Sequence, residues 1–168
     1  MKKVTAILIG AGLRGGYVYS QYALDHPDEF QVVAVAEPDP ERRELFAAKH
    51  QIPSELCFES YEELLKKEKM ADCAMVCTQD KMHYEPVVMA MEKGYHVLCE
   101  KPMSPDKKEI IKMGEMAKKY NRILSVCHVL RYSPFFSKLK ELLEEGKIGR
   151  LMTIQHMEEV GYWHQAHS

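Results

Sequence analysis

The chain has 168 residues with a formal net charge of −2 at pH 7, and 46% of its residues are hydrophobic while 29% are charged. A chain of this length buries one substantial core, and its balanced charge argues against a nucleic-acid or membrane partner. No apolar run approaches the ~20 residues that cross a bilayer, and the first residues lead into a strand-like run instead of a signal peptide.

The first 37 residues follow the order strand, glycine turn, helix, strand and acid. The apolar run Lys3–Ile9 is followed at once by a G-x-G-x-x-G pattern of Gly10, Gly12 and Gly15. In a dinucleotide site the first glycine permits a tight turn, the second lets the backbone approach a pyrophosphate, and the third allows close helix–strand packing. A glycine pattern alone is weak evidence, and the alternative is an ordinary glycine-rich loop.

Two further features of this segment agree with a dinucleotide site. The predicted helix start at Leu13 and Arg14 presents unpaired N–H groups to phosphates. A second apolar run stops at Glu37, 22 residues after Gly15. This is close to the ~20-residue spacing of an acid that accepts a hydrogen bond from a ribose 2′-OH. Strand, helix and acid together predict dinucleotide binding.

Apolar strand-like runs alternate with helical stretches along most of the chain. The runs are nearly continuously apolar, as strands covered on both faces are, and the alternation predicts an α/β fold with a doubly wound parallel sheet. The predicted strands are Val4–Ile9, Val32–Ala36, Cys57–Phe58, Cys73–Cys77, His96–Cys99 and Ile123–Cys127. The predicted helices are Gly16–Asp25, Pro40–His50, Tyr61–Lys67, Tyr84–Lys93, Asp106–Tyr120 and Pro134–Glu145.

The pattern changes after Cys127. In Arg150–Val160 apolar and polar side chains alternate roughly as in a strand of an antiparallel sheet. One strand cannot bury its face alone, so we expect it to be the first strand of a truncated second α/β domain. We divide the chain into a dinucleotide-binding domain, 1–130, and a segment, 131–168, that holds a crossover helix and the start of a substrate and dimerisation domain.

The five cysteines include no C-x-x-C pair, and four of them lie in or beside apolar runs. Buried free thiols in a reducing cytoplasm fit this pattern better than disulfides or a metal site. Ligands of open α/β sheets bind at the carboxyl ends of the strands. At that edge Glu100-Lys101-Pro102 ends a strand abruptly, and a lysine there could polarise a substrate oxygen. The alternative is a surface Glu-Lys turn.

The stretch Gly94–Ser104 resembles the signature of the Gfo/Idh/MocA oxidoreductases. The glycine motif, Ala36–Arg42, the run from Val76 to His83, and Gly146–Leu151 match that family in the same order. The resemblance covers the whole chain and implies an NAD(P)-binding Rossmann fold. It also implies hydride transfer at a hydroxyl-bearing carbon of a sugar, cyclitol or related polyol, and association of the longer protein into a homo-oligomer.

The resemblance also implies roles for single residues. Thr78 and Gln79 would touch the cofactor, although relatives often have Pro-Asn after this threonine. His83 would contact the cofactor or cap its helix. Glu100 would bond the nicotinamide ribose, and Lys101 would be the catalytic lysine, hydrogen-bonded to the reacting oxygen. Relatives often have a cis bond between this lysine and the proline that follows.

At other positions this sequence differs from the family pattern or lacks a part of it. His128, a further candidate catalytic residue, stands where relatives often have an asparagine, and Arg131 follows it toward the nicotinamide or substrate side. No Asp has His four residues later, so the proton-transfer Asp-x-x-x-His motif is expected beyond this chain. His164 and His167 are alternative substrate-site residues.

The cofactor is expected to be NAD in preference to NADP, because Glu37 should repel a 2′-phosphate. Arg42 and Arg43 follow and could accept that phosphate, or they could simply face solvent. We expect this chain to be the cofactor-binding part of an NAD(P)-dependent dehydrogenase that is inactive by itself. An NAD-dependent glycoside hydrolase of the same family and a non-enzymatic dinucleotide sensor remain open, although Lys101 argues against a sensor.

Overall fold

The computed structural model describes residues 2–162 and has one sheet of six parallel strands. The strands are β1 Val4–Ile9, β2 Phe30–Ala36, β3 Cys57–Phe58, β4 Cys73–Val76, β5 His96–Cys99 and β6 Leu124–Val126. Their order is β3-β2-β1-β4-β5-β6. The direction of strand addition reverses between β1 and β4, which is the topological switch point where such sheets bind ligands. The predicted doubly wound α/β sheet is confirmed.

The helices connect these strands as the alternating pattern predicts. They are a π-helix Leu13–Tyr19, α1 Gln21–Asp25, α2 Pro40–His50, α3 Tyr61–Lys66, α4 Tyr84–Glu92, α5 Lys107–Lys119 and α6 Pro134–Glu144. Short 3₁₀ turns lie at Ser54–Leu56, Asp80–Met82 and Val129–Tyr132. Side-chain caps begin three of the helices, since Asp39, Ser60 and Asp106 each accept from a backbone N–H of the first turn.

The helix after the glycine turn begins earlier than predicted and is widened. Instead of one α-helix over 16–25, the chain forms the π-helix and then the short α1. Ser20 N–H donates to the carbonyl of Gly15 five residues earlier at 3.2 Å, and its hydroxyl donates to the same oxygen at 2.6 Å. Such π turns insert one extra residue into a helix and are frequent at functional sites.

The two faces of the sheet carry separate apolar clusters. Because side chains alternate along β1, Ile7 and Ile9 point to one face while Ala6 and Leu8 point to the other. The first face packs against apolar side chains of α3, α4 and α5, and the second against those of α1 and α2. This arrangement buries the sheet and leaves the loops at its carboxyl edge free to form a site.

The chain divides into two compact units, Met1–Cys127 and His128–Ser168. Within the second, α6 is followed by residues 151–161 with no regular secondary structure. The strand expected at Arg150–Val160 is therefore absent, because a strand is held by hydrogen bonds to a neighbour and no described segment pairs with this one. His164 and His167 lie outside the described residues. None of the described helices has the length and hydropathy of a bilayer-spanning segment.

Candidate cofactor site

The glycine turn at the carboxyl end of β1 is packed so tightly that two of its positions exclude a side chain. Gly10 has φ +90°, and a Cβ there would lie 2.6 Å from the carbonyl oxygen of Cys77. A Cβ at Gly15 would lie 2.2 Å from the carbonyl oxygen of Gly10. A Cβ at Gly12, in contrast, would meet nothing within 4 Å. The loop is therefore closed on its inner side and open at Gly12, as a pyrophosphate cradle requires.

Glu37 connects the end of β2 to this loop. The residue is only 3% exposed, and its Oε2 accepts a hydrogen bond from Ala11 N–H at 2.7 Å. Its Oε1 accepts from Asp39 N–H at 3.1 Å and lies 3.3 Å from the Arg42 guanidinium. Each carboxylate oxygen has two acceptor positions. Oε2 can therefore still accept from a ribose hydroxyl while it holds the loop.

The two arginines after Glu37 do not simply face solvent. Arg42 also lies 3.5 Å from a carboxylate oxygen of Asp39, and about half of its side chain is exposed. Arg43 donates to the backbone carbonyl of Glu37 and lies 3.6 Å from Glu59. Both cations thus stabilise the turn between β2 and α2, and Arg42 partly neutralises the acid that is expected to meet the ribose.

A cleft of about 510 Å³ extends from the glycine turn past the end of β2 to the segment after β4. It brings together most of the cofactor residues expected from the sequence. Leu13 is exposed at the start of the π-helix and Gly15 is buried beneath it. The expected residues that line the cleft are Gly10, Gly12, Glu37, Arg42, Thr78 and Gln79. The volume of this cleft lies within the range of small-molecule and cofactor sites.

His83 has a different place from the two expected. It is fully buried, and its side chain makes no capping hydrogen bond to α4. Its Nδ1 lies 2.7 Å from the carbonyl oxygen of Pro102, and its Nε2 lies 3.0 Å from that of Thr78. The imidazole therefore fills the space between the segment after β4 and the segment after β5, and it offers no surface to a ligand.

Glu100 and Lys101 follow β5 at the same edge of the sheet. Glu100 is 6% exposed, and its carboxylate accepts from two donors. The Tyr19 hydroxyl donates to Oε1, and the backbone N–H of Lys101 donates to Oε2 at 2.6 Å. Lys101 itself is exposed, and its bond to Pro102 is cis. Tyr19 could not be assigned to this site from the sequence, because helical periodicity does not indicate the widened helix that ends at this residue.

The groups around Glu100 are held in their neutral forms. Burial, followed by the hydrogen bond to Glu100, raises the pKa of the Tyr19 phenol. Burial also raises the pKa of the Cys77 thiol, and raises that of Cys99 to about 12. The Tyr19 phenol and these two thiols therefore keep their protons at neutral pH. In the part of the chain that the structure describes, no cluster of three or more potential ligands could hold a metal ion.

His128 and Arg131 belong to the second compact unit. His128 precedes the short turn Val129–Tyr132 and Arg131 lies within it, where its N–H donates to the carbonyl of His128 at 3.0 Å. Their expected place beside the nicotinamide stays a prediction.

Comparison with known families agrees with this geometry. The sequence model of an oxidoreductase family with an NAD-binding Rossmann fold, Gfo/Idh/MocA, matches residues 4–128. The chain belongs to the Gfo/Idh/MocA family. The match covers the sheet, the glycine turn, Glu37, Glu100 and Lys101.

Several named proteins and solved structures resemble the chain in sequence or in fold. A trans-1,2-dihydrobenzene-1,2-diol dehydrogenase from Mus musculus is 35% identical over 146 residues, which cover 82% of this chain and 43% of the mouse protein. An NAD-binding protein from Listeria innocua is 31% identical with a TM-score of 0.73, over 88% of this chain and 42% of that one. A myo-inositol 2-dehydrogenase from Lactobacillus plantarum, 23% identical, shares the fold with a TM-score of 0.81 over 90% and 44% of the two chains. The chain thus spans less than half the length of these proteins.

Proposed function

We propose that this chain is the cofactor-binding part of an NAD-dependent dehydrogenase acting at a hydroxyl-bearing carbon of a cyclic diol, sugar or related polyol. The observation that carries the proposal is the buried Glu37 carboxylate, which lies in the same cleft as the open position at Gly12. Family membership supports the oxidoreductase class. The mouse relative, named for a vicinal diol, supports an alcohol carbon as the reacting centre.

Different residues of the chain act at the two ends of the site. At the adenosine end, Glu37 accepts from the 2′-OH of the ribose, and the open loop at Gly12 admits the pyrophosphate. A bound nicotinamide ring would supply or accept the hydride. At the nicotinamide end of the site, Glu100 accepts a hydrogen bond from the second ribose. The Lys101 ammonium donates to the reacting oxygen, where it stabilises developing negative charge.

The experiment that tests the cofactor assignment is calorimetric titration of the 168-residue chain with NADH and, separately, with NADPH. We expect tighter NADH binding, because the 2′-phosphate of NADPH would lie against the Glu37 carboxylate. Glu37→Ala should weaken NADH binding by about tenfold, the loss of a charge-assisted hydrogen bond. Tighter NADPH binding would mean that Arg42 sets the preference and that the ribose argument is wrong.

The reaction is tested in the natural protein that carries this chain. Lys101→Ala should lower kcat by at least about 100-fold, in the range expected for loss of an electrostatic donor, while the dissociation constant of NADH changes little. Normal kcat in the variant would exclude the proposed role of the lysine. Net formation of NADH from a diol or polyol separates a dehydrogenase from a glycoside-cleaving enzyme, in which the cofactor is oxidised and reduced only transiently.

A further inference from the structure

Tyr19, the last residue of the π-helix, contacts a segment that follows a strand not adjacent to β1. Tyr19 follows β1 in sequence, yet its hydroxyl donates to Glu100 at the end of β5. In the sheet β4 lies between these two strands. The contact therefore joins the first βα unit, which carries the glycine turn, to the segment that carries Lys101.

The widening of the helix is what gives Tyr19 this direction. Gly15 and Gly16 press against the carbonyl oxygens of Gly10 and Ala11, where a Cβ would lie at 2.2 and 2.6 Å. The extra residue in the turn shifts every later side chain by roughly 100° around the helix axis, the angle of one residue in a 3.6-residue turn. Tyr19 thereby turns toward Glu100 and the Cys127 thiol.

In each hydrogen bond to the Glu100 carboxylate, the donor is fixed. The raised pKa of Tyr19 keeps the phenol protonated, so its hydroxyl can only be the donor to the carboxylate. The second oxygen of the same carboxylate accepts from Lys101 N–H. A carboxylate that is held at one oxygen keeps the orientation in which the other oxygen meets that N–H.

We propose that Tyr19 is a positioning residue: its hydroxyl orients the Glu100 carboxylate, which in turn holds the backbone from which the Lys101 side chain starts. The inference rests on the function proposed above for Glu100 and Lys101. It assigns to Tyr19 no contact with the reacting atoms. Removal of the hydroxyl should loosen the Lys101 backbone and weaken ligands that reach this end of the site.

The first test uses the chain without ligand. Tyr19→Phe removes only the hydroxyl, and amide hydrogen exchange by NMR should show Lys101 N–H exchanging at least about tenfold faster. The internal reference is the N–H of Glu100, which donates to the carbonyl of Val76 at 2.9 Å in the strand ladder and should not change. Equal acceleration of both amides would indicate general loosening of the fold. No acceleration would show that the Tyr19 hydroxyl does not restrain the Lys101 backbone. Either result overturns the proposal.

Tyr22→Phe is the matched control. Tyr22 also donates to a carboxylate, that of Glu29 at 2.7 Å, but this pair is exposed and lies away from the glycine turn. Its loss should leave the exchange of Lys101 N–H and the affinity for NADH unchanged. An effect as large as that of Tyr19→Phe would overturn the proposal, because any phenol–carboxylate bond would then suffice.

The second test compares NADH with ADP, which carries the adenosine and pyrophosphate without the second ribose. Tyr19→Phe should raise the dissociation constant of NADH about tenfold and that of ADP less than twofold. Equal weakening of both would place the effect on the glycine turn, and no weakening would remove the link to the cofactor; both contradict the proposal. If the unaltered chain binds neither ligand, the proposed function fails, while the exchange result still decides the role of Tyr19.

Discussion

Gly12→Ala should separate cofactor binding from stability. Gly12 has φ −67° and ψ −166°, which alanine adopts without strain, and the added Cβ would meet nothing within 4 Å. In a compatible conformation this change restricts the unfolded chain, so the free energy of unfolding should stay constant or rise by up to about 1 kcal/mol. The same methyl group would occupy the space that we assign to the pyrophosphate.

The effect on binding follows from the hydrogen bonds that the displaced phosphates lose. Loss of one or two charge-assisted hydrogen bonds is worth about 3 kcal/mol, or roughly 100-fold in the dissociation constant. Titration of NADH against the variant measures this loss, and urea denaturation measures the stability. NADH affinity equal to that of the unaltered chain would refute the assignment of the open position to the pyrophosphate.

Two other glycines serve as controls for Gly12→Ala. Gly15→Ala introduces a contact of 2.2 Å with a backbone oxygen, and it should destabilise the fold as well as abolish binding. Gly114 lies in α5 with nothing within 4 Å of the added Cβ. Gly114→Ala should raise the free energy of unfolding by about 0.5–1 kcal/mol and leave NADH binding unchanged.

Three more predictions concern buried polar groups. Glu37→Ala leaves Ala11 N–H without its acceptor and should lower the free energy of unfolding by about 1–3 kcal/mol; in urea denaturation Glu37→Gln should lose less, and equal losses would contradict this. His83→Leu removes a hydrogen-bond donor that lies between two backbone carbonyls and should lower the free energy of unfolding by about 1–3 kcal/mol. An unchanged free energy of unfolding would show that His83 does not stabilise these segments. Burial, followed by the charge of Lys49, lowers the pKa of His50 below 6.5, so its contribution to stability is complete above about pH 6.5 and is lost as the pH falls. Stability measured from pH 5 to 8 should therefore fall at the acid end, and His50→Phe should flatten that limb.

The bounds of secondary-structure elements were predicted most accurately where they depend on neighbouring residues in the sequence. β1 and α2 have the bounds expected from the sequence, Val4–Ile9 and Pro40–His50. In α2 the cap is visible in the sequence, since Asp39 accepts from Arg42 N–H at 3.0 Å and Pro40 occupies the first helical position. These features depend on neighbouring residues and need no knowledge of the tertiary structure.

The π-helix depends on tertiary packing and could not be predicted in this way. Its geometry accompanies contacts of Gly15 and Gly16 with carbonyl oxygens of the preceding turn, and helical periodicity carries no such information. Tyr19 was missed for the same reason. The burial of His83 between two loops is likewise a property of the assembled sheet edge, although its position after β4 did point to this region.

The wrong prediction at 150–160 has a different physical origin. Alternation of apolar and polar side chains specifies which face a strand would bury, but it does not supply the neighbouring strand. Local sequence therefore identifies β1 to β6, which pair with one another in the sheet, more reliably than a segment with which no described strand pairs. The interpretation of this segment as the start of a second domain stays a prediction.

The glycine turn is held in place by hydrogen bonds within the protein itself. Gly10 N–H donates to the carbonyl of Ala36 at 2.9 Å, and Ala11 N–H donates to Glu37, so the end of β2 holds two consecutive amides of the turn in place. A dinucleotide then meets a rigid receptor, and little conformational entropy is lost on association. Encounter rates should consequently be similar for the unaltered chain and for Gly12→Ala, in which both hydrogen bonds remain, whereas the residence time of the bound dinucleotide should shorten in that variant.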